Sequence, residues 1–286
     1  MEINSVRKEG RRVRTLCPMN HVAVMIMPQR NDACNYIRDS FETSATDDYI
    51  FKKRAEGLKG FGIMHLIIAA YVRTVSQRPG INRFIRGLRI YSRNNIEIAM
   101  TIKKSLELNA PETVLKLEFE PDSTADDVYR IINEAVEKAR TDDSDFDDTA
   151  RILCSMPRFL LRFAVWLLRK LDFYMLLPRK LTRLSPFHGS MIITSMGSLG
   201  IPPIYHHIYN FGNLPVFISY GAKRSEATVS QDGTVSDKKY IDYCVVTDER
   251  ICDGHYFASA LKYINGIFNN PSVLDNPPDK VVKDID

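Results

Sequence analysis

Cysteine is scarce and scattered in this sequence. The 286 residues contain five cysteines, namely Cys17, Cys34, Cys154, Cys244 and Cys252. No two of them form a C-x-x-C pair, and none has the spacing of a zinc ligand set. An odd number without close pairs argues against a disulfide framework. The pattern predicts a protein of the reducing cytoplasm that holds no metal.

The sequence also lacks a strong net charge and a long apolar run. Its formal net charge is +4, which is too small to indicate a nucleic-acid partner. No segment reaches the roughly 20 charge-free residues of a membrane-spanning helix. The N-terminus has no apolar run of the signal-peptide type. Nucleotide-binding glycine loops, the H-E-x-x-H zinc motif and the G-x-S-x-G elbow are absent, so these chemistries are disfavoured.

What the sequence does have is enough apolar residues, 44%, to build a substantial core. The basic run Arg7–Arg14 predicts an N-terminal arm at 1–20. Residues 21–275, which could form one large domain or two small ones, are followed by a predicted tail at 276–286. No internal repeat is present.

Helical and strand patterns alternate along residues 21–275. Apolar residues recur at helical intervals from Gly62 to Gln77, where Pro79 ends the pattern. Val22–Met27 is predicted to be a strand, and so is Tyr240–Thr247. A hairpin is predicted over Thr228–Lys239, with Asp232-Gly233 at its turn.

Two blocks carry the functional information. The octet Asp248–His255 reads Asp-Glu-Arg-Ile-Cys-Asp-Gly-His and follows the last predicted strand. The block Gly189–Gly200 reads Gly-Ser-Met-Ile-Ile-Thr-Ser-Met-Gly-Ser-Leu-Gly. The octet resembles the D-x-R-x-x-D-G signature of the 2-oxoacid dehydrogenase (dihydrolipoamide) acyltransferase catalytic domain, which chloramphenicol acetyltransferases share in similar form. The other block resembles that family's strand-then-glycine segment, with Thr194 at the family's serine. Together the two blocks extend the resemblance over most of Asn20–Pro271.

The resemblance implies an α/β fold, the chloramphenicol acetyltransferase-like two-layer sandwich in which helices cover a mixed sheet. Such proteins are usually homotrimers, with coenzyme A and the acyl acceptor entering opposite ends of a channel between subunits. In that scheme Thr194 stabilises the developing oxyanion. Asp253 and Gly254 shape the strand-to-helix turn, and Arg14 is a candidate partner for Asp253. Lipoyl and peripheral-binding domains are absent from the sequence, which predicts an organisation like that of a free-standing acetyltransferase.

The octet departs from the family at Glu249, which stands where the family has its general-base histidine. Glutamate is normally a carboxylate and a weak base at neutral pH, unless burial makes it more basic. Three alternatives follow. Glu249 is a working base in an apolar channel, or it is a binding or structural group, or another residue has replaced it. His255 and the pair His206-His207 are the candidates for such a replacement.

The resemblance therefore implies a coenzyme-A-linked acyltransferase that takes a small-molecule acyl donor and a thiol or hydroxyl acceptor. The predicted site comprises Thr194, Glu249, Asp253, Gly254 and His255. The alternative is a trimeric binding or scaffold protein of the same fold that has lost catalysis.

One segment stands outside this resemblance. If Arg158–Leu177 is helical, Arg158, Arg162, Arg169 and Asp172 share one narrow face, and almost every other position is apolar or aromatic. The favoured interpretation is a helix packed deep against the body. The alternative is a surface that contacts an anionic membrane, because seven basic residues and one acidic residue lie between Arg158 and Arg183.

Overall fold

A computed structural model describes residues 9–103, 112–141, 156–229 and 232–286. These ranges form nine β-strands and seven α-helices. The strands are β1 (Gly10–Arg12), β2 (Cys34–Glu42), β3 (Arg83–Arg86), β4 (Arg89–Arg93), β5 (Ile96–Lys103), β6 (Glu112–Phe119), β7 (Met191–Ser195), β8 (Val216–Val229) and β9 (Val235–Asp248). The helices are α1 (Pro18–Ile26), α2 (Ser44–Ala55), α3 (Ile63–Gln77), α4 (Ala125–Thr141), α5 (Arg158–Phe173), α6 (Arg179–Leu184) and α7 (Gly254–Asn269).

Six strands form the main sheet in the order β2-β9-β8-β7-β5-β6. The pairs β5/β7 and β7/β8 are parallel, and the other three pairs are antiparallel. Strands β8 and β9 form the predicted hairpin, and Gly233 lies in its turn with φ of +81°. A positive φ at this position explains why a glycine stands there. The predicted α/β sandwich with a mixed sheet is therefore confirmed.

The two faces of the sheet are covered differently. Side chains alternate between faces along a strand. Ile193 and its neighbours on one face join the main core with α3 and α7, and Ile193 is fully buried. On the other face, Ile192 and Phe217 belong to a small cluster that is covered by Ile208 and Leu214 of the loop before β8. The helices thus cover one face, and loop residues partly cover the other.

A second, three-stranded sheet has the order β1-β4-β3. The end of the chain packs on this part of the molecule. Arg83 of β3 donates two hydrogen bonds to the Asp284 carboxylate, at 2.8 and 2.5 Å, and both side chains are buried. Val282 N donates to Ser76 O at 2.8 Å. Residues 1–8 of the predicted basic arm lie outside the described residues.

The predictions failed at the start of the domain. Val22–Met27 is predicted to be a strand, but Val22–Ile26 is the last part of α1. Pro18 occupies the first helical turn, where its fixed φ and missing N–H favour helix initiation. Strand β2 has no strong sequence pattern because charged and polar residues interrupt it. Pairing with β9 along its whole length specifies it instead.

The predicted helix α5 is present, but it is not buried against the rest of the molecule. Its only buried residue is Asp172. Phe159, Phe163 and Trp166 are 76, 56 and 54% exposed. The favoured interpretation of this segment was therefore wrong, because the body contacts one narrow side of the helix and leaves most of its apolar surface uncovered.

Candidate active site

Thr194 lies near the end of β7, on the face of the sheet that none of the seven described helices covers. It pairs in register with Ser219 of β8 and shares a face with Ile192. Its side chain is partly exposed and makes no hydrogen bond within the described part of the chain. The hydroxyl is therefore free to donate to a ligand.

The glycines after β7 are required by close backbone packing. A Cβ at Gly197 would lie 2.6 Å from the carbonyl oxygen of Gly221, and a Cβ at Gly221 would lie 2.6 Å from Pro203. Gly200 has φ of +73° and ends a short 3₁₀ turn. This packing brings the loop after β7 against β8, and Ser219 then holds that loop by accepting from Ile204 N at 3.0 Å. The strand-then-glycine block therefore fixes the backbone beside Thr194.

The octet begins with a buried ion-pair cluster. Asp248 is 1% exposed and ends β9. Arg250 binds it in a bidentate manner, with Nε–Oδ1 at 2.8 Å and Nη2–Oδ2 at 2.7 Å, and Arg30 Nε lies 3.4 Å from Oδ2. Arg250 also donates to Met27 O at 2.8 Å. The Asp-x-Arg part of the motif thus locks the turn after β9 onto the segment that follows α1.

Asp253 has a different role from Asp248. It is the N-cap of α7, and its Oδ1 accepts from Tyr256 N at 2.8 Å. An N-cap carboxylate satisfies helix donors and favours the helix dipole. Arg14 is exposed and forms no ion pair with Asp253 in the described ranges, so the arginine pairing of the motif belongs to Asp248 instead. Burial raises the pKa of the neighbouring Cys252 thiol to about 12, which makes it an inert packing group.

Glu249 stands in the 3₁₀ turn between these two aspartates. Its side chain is exposed and has no hydrogen bond or ion pair among the residues that the structure describes. It is an exposed residue of the described part of the chain, and both of its neighbours, Asp248 and Arg250, are buried. Gly254 opens α7, and a Cβ there would meet nothing within 4 Å, so no packing contact explains this glycine.

His255 follows on α7 and lines a surface groove of about 460 Å³. Arg78 and Lys262 line the same groove. Arg78 is held in place, since its Nε donates to Ser259 Oγ at 2.9 Å and its guanidinium lies 5.4 Å from the ring centroid of Tyr263. The groove is therefore cationic and has one exposed imidazole at its edge.

Of the other two histidine candidates, His206 is a packing group and His207 is exposed. His206 stacks on Phe217, with ring centroids 4.1 Å apart and planes 6° apart, and on His207 at 4.6 Å. These contacts cover the second face of the sheet. The exposed candidates for a base are therefore Glu249, His255 and His207.

One copy of the chain does not bring Thr194 and Glu249 together. Thr194 pairs with Ser219 on β8, and Ser219 pairs with Cys244 on β9. Glu249 lies five residues further along and two strands away, which separates the two residues by roughly 15–20 Å. Thr194 and the Asp253–His255 turn therefore lie at opposite ends of the strands.

Sequence reasoning did not find Arg30 as a member of this region. Its guanidinium joins Asp248 and also donates to Tyr209 O at 2.6 Å and Gly212 O at 2.8 Å. Only the fold brings it there, from 218 positions before Asp248 in the sequence. No local motif marks it.

The fold has counterparts of known structure. The chain is similar to a probable dihydrolipoamide acetyltransferase from Listeria monocytogenes 4b F2365, with a TM-score of 0.58 and 15% identity over 90% of this chain and 94% of that one. It has the fold of 2-oxoacid dehydrogenase acyltransferase catalytic domains. A catalytic core of the 2-oxoacid dehydrogenase complex from Thermoplasma acidophilum gives a TM-score of 0.55 at 10% identity, covering 91% of this chain and 98% of that one.

The dihydrolipoamide acetyltransferase of Azotobacter vinelandii gives a TM-score of 0.54 at 11% identity, covering 90% of this chain and 88% of that one. No protein-family model and no curated protein matches the sequence. Within the described ranges, no helix is both long and apolar enough to cross a membrane, and no cluster of histidine, cysteine and acidic residues could hold a metal ion.

Proposed function

We propose that this protein is an acyltransferase that uses coenzyme A and whose active site forms between two copies of the chain. The observation that carries the proposal is the free Thr194 hydroxyl, which lies on the open face of a sheet with the fold of acetyltransferase catalytic domains. Thr194 of one copy would face Glu249 of a neighbouring copy. The acceptor is a small thiol or alcohol.

An exposed apolar patch near Thr194 supports assembly. Leu199, Ile201, Ile204 and Tyr205 are 62, 43, 41 and 50% exposed, and Tyr36 packs edge-on against Tyr205. A contiguous exposed apolar patch of this kind marks an interaction surface. The Thermoplasma acidophilum counterpart is the core of a multienzyme complex, from which we infer that this chain forms homo-oligomers, with a trimer as the proposed unit.

The residues present fit coenzyme A, which supplies a thiol and several phosphates when it is bound. Arg78 and Lys262, in the groove beside His255, would hold the phosphates. Thr194 would donate a hydrogen bond to the oxygen on which negative charge develops during acyl transfer, an interaction typically worth 10²–10³ in kcat. Glu249 would accept the acceptor's proton once a neighbouring copy excludes water from it.

The spacing between Glu249 and Asp253 matches the spacing of two catalytic residues in one of the structural counterparts. The catalytic mechanism of the Azotobacter vinelandii enzyme is linked to a serine, a histidine and an asparagine, and its histidine and asparagine are separated by four positions. Glu249 and Asp253 have the same separation. This agreement supports Glu249 as the residue at the base position.

A complementation experiment tests the shared site. Thr194→Ala and Glu249→Gln are each expected to lower acetyl-coenzyme-A turnover by a factor of about 100 or more, whereas Thr194→Ser keeps the hydroxyl and should retain activity. When the two inactive variants are co-expressed in equal amounts, about a quarter of the interfaces combine an intact Thr194 with an intact Glu249. Activity should return to roughly that fraction. Full activity of Thr194→Ala alone, or no recovery in mixtures shown to contain both variants, would contradict the proposal.

The exposed Glu249 also favours a second candidate, a scaffold of the same fold without catalysis. Its carboxylate makes no hydrogen bond or ion pair with any described residue. If the parent has no acyltransferase activity and Glu249→His creates it, the parent is a scaffold. If the parent is active and Glu249→Gln abolishes turnover while His255→Asn does not, Glu249 is the base.

A further candidate function is contact with an anionic membrane through α5. This helix exposes Phe159, Phe163 and Trp166 together with Arg158 and Arg162. An apolar ridge flanked by cations is typical of helices that lie in a membrane interface. Trp166 is the single tryptophan of the sequence, so its emission should shift to shorter wavelength with anionic vesicles and not with neutral ones. An unchanged spectrum together with no co-flotation would contradict the contact.

A further inference from the structure

A cavity of about 430 Å³ lies between α5 and the body, separate from the groove beside His255. Five cations line it, namely Arg30, Arg86, Arg169, Lys170 and Arg250, and one carboxylate, that of Asp172, lines it too. Nothing in the proposed acyl transfer uses this cavity. It is called the α5 cavity below.

The walls of the α5 cavity are held in place. Gly87 and Leu88 form the β3–β4 turn with φ of +55° and +56°, as in a type I′ turn. A Cβ at Gly87 would lie 2.9 Å from Phe173 O, so this turn packs closely on the end of α5. On the opposite wall, Gly212 donates its N–H to Asp172 Oδ2 at 3.1 Å and accepts from Arg30 at 2.8 Å. The cavity is thus part of the fold.

The charges around the cavity do not balance. Arg30 and Arg250 share Asp248, and Arg86 pairs with Glu9 at 2.7 Å and with Asp172 at 3.3 Å. Arg169 and Lys170 have no ion pair among the described residues. Five cations therefore face three carboxylates, which leaves an excess of two positive charges.

The two unpaired cations belong to the exposed side of α5. Lys170 and Phe173 continue the ridge of Phe159, Phe163 and Trp166 at helical intervals, so the apolar ridge leads directly to the cavity. Phe163 and Trp166 stack with centroids 5.8 Å apart, and Phe173 is 42% exposed. A cationic cavity and an exposed apolar ridge therefore adjoin on one helix.

We propose that the α5 cavity binds the phosphate monoester headgroup of a membrane lipid, whose chains lie along the α5 ridge. A phosphate monoester carries nearly two negative charges at neutral pH, which matches the excess of two cations, whereas a phosphodiester carries one. Arginine and lysine donate to phosphate through charge-assisted hydrogen bonds. The inference rests on the membrane contact proposed above and is independent of acyl transfer.

Two double variants on the same helix give a matched test. Arg169→Ala with Lys170→Ala removes the unpaired cations of the cavity. Arg158→Ala with Arg162→Ala removes the same charge from exposed positions of α5 outside the cavity. Trp166 emission is titrated with dihexanoyl phosphatidic acid below its micelle concentration, and dihexanoyl phosphatidylcholine is the neutral comparison.

The parent chain should bind the soluble phosphatidic acid and not the phosphatidylcholine. The cavity variant should bind it about tenfold more weakly, and the other variant within about threefold of the parent. Absence of binding by the parent, or equal losses in the two variants, would overturn the site.

An experiment with vesicles distinguishes the proposed headgroup site from a membrane contact without such a site. Vesicles with about 10% phosphatidic acid are compared with vesicles with about 20% phosphatidylglycerol, which carry a similar total charge. Tighter binding to phosphatidic acid, lost in the cavity variant, supports the proposal. Equal binding to both vesicles would keep the membrane contact and refute the headgroup site. Binding of the soluble lipid without binding of either vesicle would refute the membrane source.

Discussion

The Asp248 carboxylate lies between two buried arginines, and its removal should destabilise the fold strongly. Arg250 and Arg30 have side chains that are 2 and 5% exposed, and Asp248 is 1% exposed. Burial lowers the pKa of the Arg30 guanidinium, and the Asp248 charge is the main effect that opposes it. Asp248→Asn keeps the side-chain shape but leaves both cations without this counter-charge.

Breaking a buried ion pair by removing one partner typically costs about 3–5 kcal/mol. A folded domain is stable by about 5–15 kcal/mol in total, so Asp248→Asn should remove about a fifth or more of the free energy of unfolding. For a chain of this size, each kcal/mol corresponds to about 2–4 °C, which predicts a fall in Tm of about 10 °C.

Urea unfolding followed by far-ultraviolet circular dichroism measures this change. The midpoint should fall while the slope m stays constant, because the surface exposed on unfolding is the same. Glu226→Gln, which breaks an exposed ion pair with Arg224, should leave the midpoint unchanged. A loss below about 1 kcal/mol in Asp248→Asn would show that water compensates the two arginines. The turn that carries Glu249 would then not depend on this cluster.

Three further predictions concern pH, backbone and assembly. Burial lowers the pKa of His65 to about 4, and its Nδ1 accepts from Gly62 N, so the fold requires neutral imidazole. In the unfolded chain His65 binds a proton near its ordinary pKa of about 6.5. The free energy of unfolding should therefore be highest above this pH and fall by about 3 kcal/mol as the pH drops towards 4. In His65→Gln, whose side chain can still accept from Gly62 N, the urea midpoint should change less with pH over that range. Gly212→Ala should prevent folding, because the new Cβ would lie 2.0 Å from Phe187 O at a residue with φ of +86°. A Cβ at Gly200 has no atom within 4 Å, so Gly200→Ala should lower the free energy of unfolding by only about 1 kcal/mol, as measured by thermal unfolding. Finally, specific activity should fall on dilution in parallel with the oligomer fraction in sedimentation, and a fully active monomer would contradict a shared site.

The fold could be predicted from the sequence wherever a local pattern dominates. Helix α3, the β8–β9 hairpin and the turn into α7 follow from apolar periodicity, from Asp232-Gly233 and from Asp253. Strand β2 could not be predicted, because its residues are specified by partners on β9 that lie about 200 positions away in sequence. The same holds for Arg30, whose role depends on Asp248 and the loop at Gly212.

The candidate site could be predicted only in part for a related reason. Motif spacing identifies Thr194, Glu249 and Asp253, but spacing within one chain contains no information about which groups face each other across copies. For α5, the alternation of apolar and basic residues fits both a packed helix and an interfacial one. The structure excludes the packed helix, because only Asp172 of this helix is buried.

The rigidity around Glu249 argues that its exposure has a functional meaning. Asp248 and Arg250 fix the backbone on one side of the turn, and Asp253 fixes it on the other by capping α7. A turn held so tightly presents its one free carboxylate in a single direction, although this carboxylate makes no contact that stabilises its own chain. Thr194 is likewise held by strand pairing and glycine packing, with its hydroxyl unpaired. No contact among the described residues uses either group, so the proposal that a neighbouring copy uses them predicts that assembly and acyl transfer are gained or lost together.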